Sequence, residues 1–383
     1  MNTLVINAGS TTIKFKLFDL DYRTLVSGMI DKKHNKCEFT LQKDDEKYEW
    51  EISEKEFDLA AELILKEVKS YPIAKVGFRV VHGGEKYLSP TLLTDNVIKD
   101  LEELSELAPL HNPPAIKKIR EFRLLLPTTN FYAVFDTAFH ATMPPKAYIY
   151  ALPYEYYEQD KVRRYGFHGT SHKYVTSELH KLEPRAEKII SCHLGGGSSI
   201  TAVKQGKSID TSMGFTPLEG LVMATRPGDV DDGAVQFLMK KHNLTQEMFN
   251  EIENKHSGLL GISGVTSDMR KLLELEAQGN ERAHLAIEIY VYQVQSYIGG
   301  YAASLNGVDA LIFTAGVGAG SDVIRKRICE QLSYLKIFID DNLNKGRVNV
   351  SKNLLISSRN SIPVWVIPTN EELEIARELA EMR

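Results

Sequence analysis

Cysteine is scarce in this chain: Cys37, Cys192 and Cys329 are all it carries among 383 residues. No two of them stand at metal-ligand spacing, and an odd, sparse set does not make a disulfide framework. Such a count suits reduced thiols. With an opening stretch that lacks a signal-peptide pattern, the expectation is a cytoplasmic protein. Cys192 falls in an apolar run and reads as packing rather than as a nucleophile. No apolar run reaches membrane-spanning length, so no membrane partner is expected. Runs of Lys and Arg are missing too, and the formal net charge is −5. That balance argues against nucleic acid as a partner.

Familiar phosphate and metal signatures are also absent. Gly206-Lys207-Ser208 ends like a Walker A loop, but Thr201 stands where its first glycine belongs. His168 and His172 are four apart with no Glu after the first, so the zinc-protease pattern fails. Gly316, Gly318 and Gly320 form a GxGxG, yet no acidic residue follows a second strand at the distance a dinucleotide site needs. Protein-kinase signature loops do not occur.

What the chain does have is 26 glycines, and two clusters of them sit beside small hydroxyls. In the first, Leu4–Ile6 is an apolar run, Gly9 turns, and Ser10, Thr11 and Thr12 follow. Ile13, Phe15 and Leu17 then alternate with Lys14 and Lys16, a period of two that places Thr12 and Lys14 on one strand face. In the second, the apolar run Lys188–Cys192 meets Gly195–Gly197, then Ser198 and Ser199, then a second alternating run. Glycine backbone and small hydroxyls can approach an anion closely. Either cluster alone reads equally as a plain hairpin turn. Two copies about half a chain apart suggest an internal duplication, and two facing cradles would hold a polyphosphate.

Between these clusters the pattern is that of α/β domains. Residues 21–55 read as edge strands and turns. Helices are expected at Phe57–Val68, Val97–Leu107, 233–241, 246–255 and Arg282–Leu305. Lys75–Val81 is a short apolar strand with one cation, Arg79, where a site and a structural ion pair are both open readings. Paired prolines after His111 fix its loop. Asp136 ends the strand Asn130–Phe135, in the place of a metal or phosphate ligand or of a helix N-cap. Arg226 stands between Thr225 and Pro227-Gly228. Ala310–Gly320 reads as strand and glycine-rich turn, with a helix from Ser321. Pro363–Ile367 reads as the last strand. Thr369 and Glu372 are spaced as a capping box for a final helix, which leaves Glu371 for a ligand. Two domains are the expectation from length.

Longer stretches carry a specific resemblance. INAGSTTIK (6–14), RVVHGGEKY (79–87), LAPLHNPP (107–114), VFDTAFH (134–140), YGFHGTSHKYV (165–175), HLGGGSS (193–199), DTSMGFTPLEGLVMATR (210–226) and VIPTNEELEIAR (366–377) resemble the acetate kinase family over essentially the whole chain. The resemblance implies two duplicated ribonuclease H-like domains of the actin, hexokinase and heat-shock ATPase superfamily around a central ATP cleft. The domains would be 1–150, with helix 373–383 packing back on it, and 151–372. It implies a homodimer through the C-terminal domain. The implied reaction is reversible transfer of the ATP γ-phosphoryl group to acetate, with Mg²⁺ or Mn²⁺.

By matching position, Arg79, Asp136, His168, Arg226 and His111 look like the catalytic group. Arg79, Val81, Leu110, Phe167 and Pro217 look like the substrate pocket. Asn7, Ser10, Thr12 and Lys14 look like the phosphate-side hairpin. His193, Gly195, Gly196, Gly197, Asp268, Met269, Arg270 and the run Gly316, Val317, Gly318, Ala319 and Gly320 look like nucleotide contacts. Asn7 and Glu371, with Asp136 beside them, look like the metal side. A carboxylate nucleophile needs no general base at neutral pH, so the implied chemistry is charge neutralisation. Propionate kinases share nearly every motif. A non-catalytic actin-like ATP-binding module would not need the paired arginines. Gly196, Ala319 and Gly320 replace side chains usual in the family, which puts the donor contacts in question.

Overall fold

The computed structural model describes residues 2–382, apart from 34, 35, 45, 109, 110, 347 and 349. Contacts divide the chain into two units, residues 1–139 with 370–383, and residues 140–369.

In the first unit, β1 (Asn2–Ala8) and β2 (Thr12–Phe18) form a hairpin closed by the Gly9 N–H donating to the Thr12 carbonyl at 2.8 Å. The meander runs on through β3 (Thr24–Lys33), β4 (Lys36–Lys43) and β5 (Glu46–Ile52), and then come β6 (Ile73–Val80), β7 (Thr91–Leu92) and β8 (Asn130–Phe135). The sheet order is β5-β4-β3-β2-β1-β6-β8-β7, with β1, β6 and β8 parallel. The period of two in β2 is real: Ile13, Phe15 and Leu17 are buried and Lys14 is exposed. β1 is apolar over Leu4–Ile6 because both its faces are covered there. Leu4 and Ile6 join the core that includes Phe78 and Phe122. Val5 faces the other way, onto Ile375 and Leu379 of helix Glu371–Glu381. That helix lies close: a Cβ on Gly77 would stand 2.6 Å from Leu379.

The second unit repeats the plan. β9 (Lys188–Leu194), β10 (Ser198–Lys204) and β11 (Lys207–Thr211) are antiparallel, and β12 (Ala310–Thr314), β13 (Leu354–Leu355) and β14 (Val364–Val366) follow. The order is β11-β10-β9-β12-β14-β13, with β12 parallel to β9 and β14 parallel to β12. Each sheet therefore opens with at least three consecutive antiparallel strands, carries two parallel strands on the free side of the first of them, and ends in a short antiparallel edge strand, and the first sheet adds β4 and β5 to its meander. This shared order is the duplication expected from the two glycine clusters. Helix Glu281–Leu305 covers the second sheet with Tyr290, Val294 and Ile298 buried.

Several elements differ from the sequence reading. The helix expected over Phe57–Val68 breaks at Leu59 into Glu54–Asp58 and Ala60–Val68, the first begun by a capping box of Ser53 and Glu56. The helix at 246–255 is α only over Gln246–Glu251 and widens to a π turn over Ile252–His256. The glycine-rich segment after β12 is itself a helical turn, Ala315–Gly320, entered through Ala315 at φ +64°. Such a conformation in a non-glycine residue costs about 1–3 kcal/mol and concentrates at functional sites. Asp322–Glu330 then starts separately, capped by Ser321. Among the described residues no helix is long and apolar enough to cross a membrane.

Candidate active site

The first unit gathers polar residues at the C-terminal ends of its parallel strands, where open α/β sheets bind ligands. Arg79, near the end of β6, donates from Nε to Asp136 Oδ1 at 2.9 Å and also pairs with the other Asp136 oxygen. Its Nη1 donates to Asn7 Oδ1 on β1 at 3.2 Å, and Glu371 lies 3.6 Å away. Burial opposes the Arg79 charge, but Asp136 and Glu371 outweigh it and hold the guanidinium above its ordinary range. Burial pushes the Glu371 carboxyl up despite the pull of Arg79. Two carboxylates and an amide oxygen thus converge on one cation. That oxygen set also suits a magnesium ion, which takes one or two protein carboxylates and completes its shell with water and phosphates. Among the described residues no group of three or more His, Cys, Asp and Glu is placed to hold a metal by itself.

The capping box expected of Thr369 and Glu372 is not formed. Asn370 is the N-cap and accepts from the Leu373 N–H, so the helix begins one residue later. Lys16 on β2 holds both residues: its ammonium donates to Asn370 Oδ1 at 2.8 Å and sits 3.1 Å from Glu372. Glu372 is an ion-pair partner, not a cap. Around this group, Ser10 is exposed at the hairpin turn and Lys14 lies opposite Asn7 in register. The Thr12 hydroxyl donates to Asp31 Oδ1 at 2.7 Å, a partner that the sequence reading missed. Val81 is half-buried just past β6, and His111 precedes helix Asn112–Leu125. Leu110 lies outside the described residues.

The second unit holds a different arrangement. His168 precedes helix Gly169–Leu182 in the left-handed region, at φ +56°. Its ring stacks on His193 with centroids 4.2 Å apart, and its Nδ1 is 3.0 Å from Ser199 Oγ. Arg226 is half-buried and donates from Nη1 to the Pro217 carbonyl at 2.7 Å. Among the described residues no carboxylate pairs with it, and burial alone pushes its pKa down to about 10. A Cβ placed on Gly197 would stand 2.7 Å from Arg226 Nη2 and 3.2 Å from His168 Nε2. Both nitrogens therefore face one point that only glycine leaves open. Phe167 is buried beside His168, and its carbonyl lies 3.0 Å from His140 Nε2.

The two glycine-rich segments of this unit lie side by side, since a Cβ on Gly195 would be 3.5 Å from Ala315 Cβ. Around Gly196 and Gly316 an added Cβ would meet nothing within 4 Å. Gly318 gives its carbonyl to the buried Arg325 at 2.8 Å, and Val317 and Ala319 pack on the core. Asp268 caps helix Met269–Ala277 and pairs with Arg270 at 2.7 Å, while Met269 is buried. This pair is local, and Arg270 is exposed. Sequence reasoning missed the bonds that tie this helix to β9, from Ser171 to His193 and from His172 to Ser191. The four-residue spacing of His168 and His172 was a signal for one helix face.

A duplicated α/β protein with open glycine turns, and with a cation left unpaired beside one of them, is the class that fold and site define: a phosphate binder. The comparisons narrow it. The family model described as the Acetokinase family matches residues 2–377, and the chain belongs to that family. A relative from Geobacillus kaustophilus named acetate kinase is 46% identical over 392 residues, covering 99% of this chain and 98% of that one. The crystal structure of Porphyromonas gingivalis acetate kinase is similar at a TM-score of 0.91 and 41% identity, with all of both chains covered. That of a propionate kinase from Francisella tularensis is similar at 0.91 and 38%, covering 98% of each.

Proposed function

We propose that the protein transfers the γ-phosphoryl group of ATP reversibly to acetate, giving acetyl phosphate and ADP. The observation that carries this is Arg226: a half-buried guanidinium with no carboxylate partner among the described residues, facing the same open point as His168 Nε2. A desolvated charge left unpaired is costly, and an anionic group offsets that cost when it arrives. In the reaction an acetate oxygen forms a bond to the γ-phosphorus. The bond from that phosphorus to the bridging oxygen breaks, and its electron pair leaves with ADP. Acetate is ionised at neutral pH, so no base is needed.

In this reading Arg226 and His168 neutralise the transferring phosphoryl oxygens, and such donors are worth several kcal/mol in the transition state. Arg79 meets the substrate carboxylate, and His111 supports the same group. Val81, Phe167 and Pro217 are the residues this reading assigns to the acyl group. Ser10, Thr12 and Lys14 serve the phosphates. The segments Gly195–Gly197 and Gly316–Gly320, with His193 and Asp268–Arg270, bind the nucleotide. Asn7, Asp136 and Glu371 are the oxygen donors for Mg²⁺, which when bound neutralises phosphate charge. The partner in assembly is a second copy. Helix Asp232–His242 has no buried residue, and Phe237 and Tyr292 are 61% and 70% exposed.

Hydroxylamine trapping tests the proposal: ATP, Mg²⁺ and acetate should yield acetyl hydroxamate. No hydroxamate from any short carboxylate, with folded protein, would refute it. Propionate is the second reading, favoured by the similarity to the Francisella structure, and the same assay ranks the two acids.

A further inference from the structure

His168 ends a buried chain of hydrogen bonds. Its Nδ1 is 3.0 Å from Ser199 Oγ, which is 2.8 Å from His172 Nε2. His172 Nδ1 is in turn 2.9 Å from Ser191 Oγ. Ser191, His172 and Ser199 are all fully buried. Burial pushes the His172 pKa well down, so the ring is neutral and carries one N–H. Each hydroxyl also has one hydrogen to give. The chain can therefore run in only two directions, since a Ser199 that accepted from both rings would leave its own buried hydrogen with no acceptor among the described residues.

If it starts at Ser191, every hydrogen is used. Ser191 donates to His172 Nδ1, His172 Nε2 donates to Ser199, and Ser199 donates to His168 Nδ1. The His168 proton must then sit on Nε2. If it runs the other way, Ser191 only accepts. Its own buried hydroxyl hydrogen then has no acceptor among the described residues, a cost the first direction avoids. The first direction also suits the geometry, since Nε2 is the atom that shares an open point with Arg226 Nη2.

We propose that Ser191, His172 and Ser199 are positioning residues that fix the proton of neutral His168 on Nε2, so that it donates to the phosphoryl group. No proton moves in this role; it sets which nitrogen is the donor. The link to phosphoryl transfer rests on the function proposed above, whereas the tautomer itself does not. His193, stacked from β9, and Arg226, from the loop after β11, also face His168.

Two measurements test it. The first is long-range proton–nitrogen NMR on the full chain labelled at histidine nitrogens, with the two signals assigned from His168→Gln and His172→Gln. The expected result is an Nε2–H tautomer at both rings. An Nδ1–H tautomer at His168 overturns the proposal whatever the activity, so this arm fails separately from the kinase reading. The second is Ser199→Ala, which should lower kcat about tenfold, as for one lost hydrogen bond, with the acetate KM little changed. Lowering the pH until His168 is protonated should shrink that deficit, because the imidazolium has an N–H on both nitrogens. A deficit that does not change with pH, or one in KM alone, overturns the proposed role.

Discussion

Replacing Arg226 by alanine should separate function from stability. The guanidinium pays for its position: burial pushes its pKa down to about 10, and among the described residues no carboxylate stands beside it. Deleting it removes an uncompensated charge and one hydrogen bond to the Pro217 carbonyl. The lost bond costs about 0.5–1.5 kcal/mol and the relieved desolvation offsets it, so the melting temperature should stay within about 2 °C of wild type. Catalysis should respond very differently. Nη2 and Nη1 lie on the side facing His168 Nε2 and Pro217, and Nη2 is the one aimed at the open point. One or two charge-assisted bonds to a phosphoryl oxygen, at about 1.5–3 kcal/mol each, correspond to about 10- to 10⁴-fold in rate. The assay is hydroxamate formation at saturating ATP and acetate, with circular dichroism and thermal melting on the same sample. A variant that melts far below wild type, or one that turns over at the wild-type rate, would refute the reasoning and make Arg226 a structural residue.

Arg79→Ala should behave in the opposite way on stability. It leaves Asp136 and Glu371 buried without the cation they share, a loss of about 3–5 kcal/mol that denaturant unfolding would detect. No loss of stability would show that the carboxylates have another counter-charge. Glu372→Gln should cost about 1–3 kcal/mol at pH 7, since the buried carboxylate that Lys16 faces loses its charge. Burial raises that carboxyl, but Lys16 holds it below the ordinary range overall. Its contribution is therefore full above the unfolded value near pH 4 and fades as pH falls through the folded one. A penalty that persisted at pH 2–3 would contradict this. Gly196→Asn has open space at its Cβ, so it should fold normally and lower the ATP KM about two- to tenfold through one added contact. Comparing KM for ATP, GTP and ITP checks it, and an unchanged ATP KM would mean that Gly196 does not face the nucleotide.

Much of this architecture was legible in the residues. The alternation of Ile13, Phe15 and Leu17 against Lys14 and Lys16 showed β2, and the two glycine and hydroxyl turns showed the duplication. Parallel β1, β6 and β8 read as apolar runs because both faces of each are covered. What escaped were features made by one element reaching another. Lys16 on β2 takes Asn370 and Glu372, so a local spacing that looked like a capping box at Thr369 lost to a contact more than 350 positions away in sequence. Ala315 turns left-handed where no glycine marks it, and that makes a helical turn of an expected loop. The bonds of His168 and His172 to Ser199 depend on the register of β9 against β10, which places Ser199 opposite His193. No periodicity within either segment fixes that register. The resemblance placed Arg79 and Arg226 in one role, whereas the structure makes one paired and the other unpaired.

The central claim is that a phosphoryl group passes from ATP to a carboxylate rather than to water. Phosphorus NMR of the purified protein with ATP, Mg²⁺ and acetate distinguishes these outcomes in one tube. The account predicts an acetyl phosphate resonance growing with ADP and disappearing when ADP and acetyl phosphate are driven back to ATP. Inorganic phosphate alone, or no change in ATP with folded protein, would contradict it.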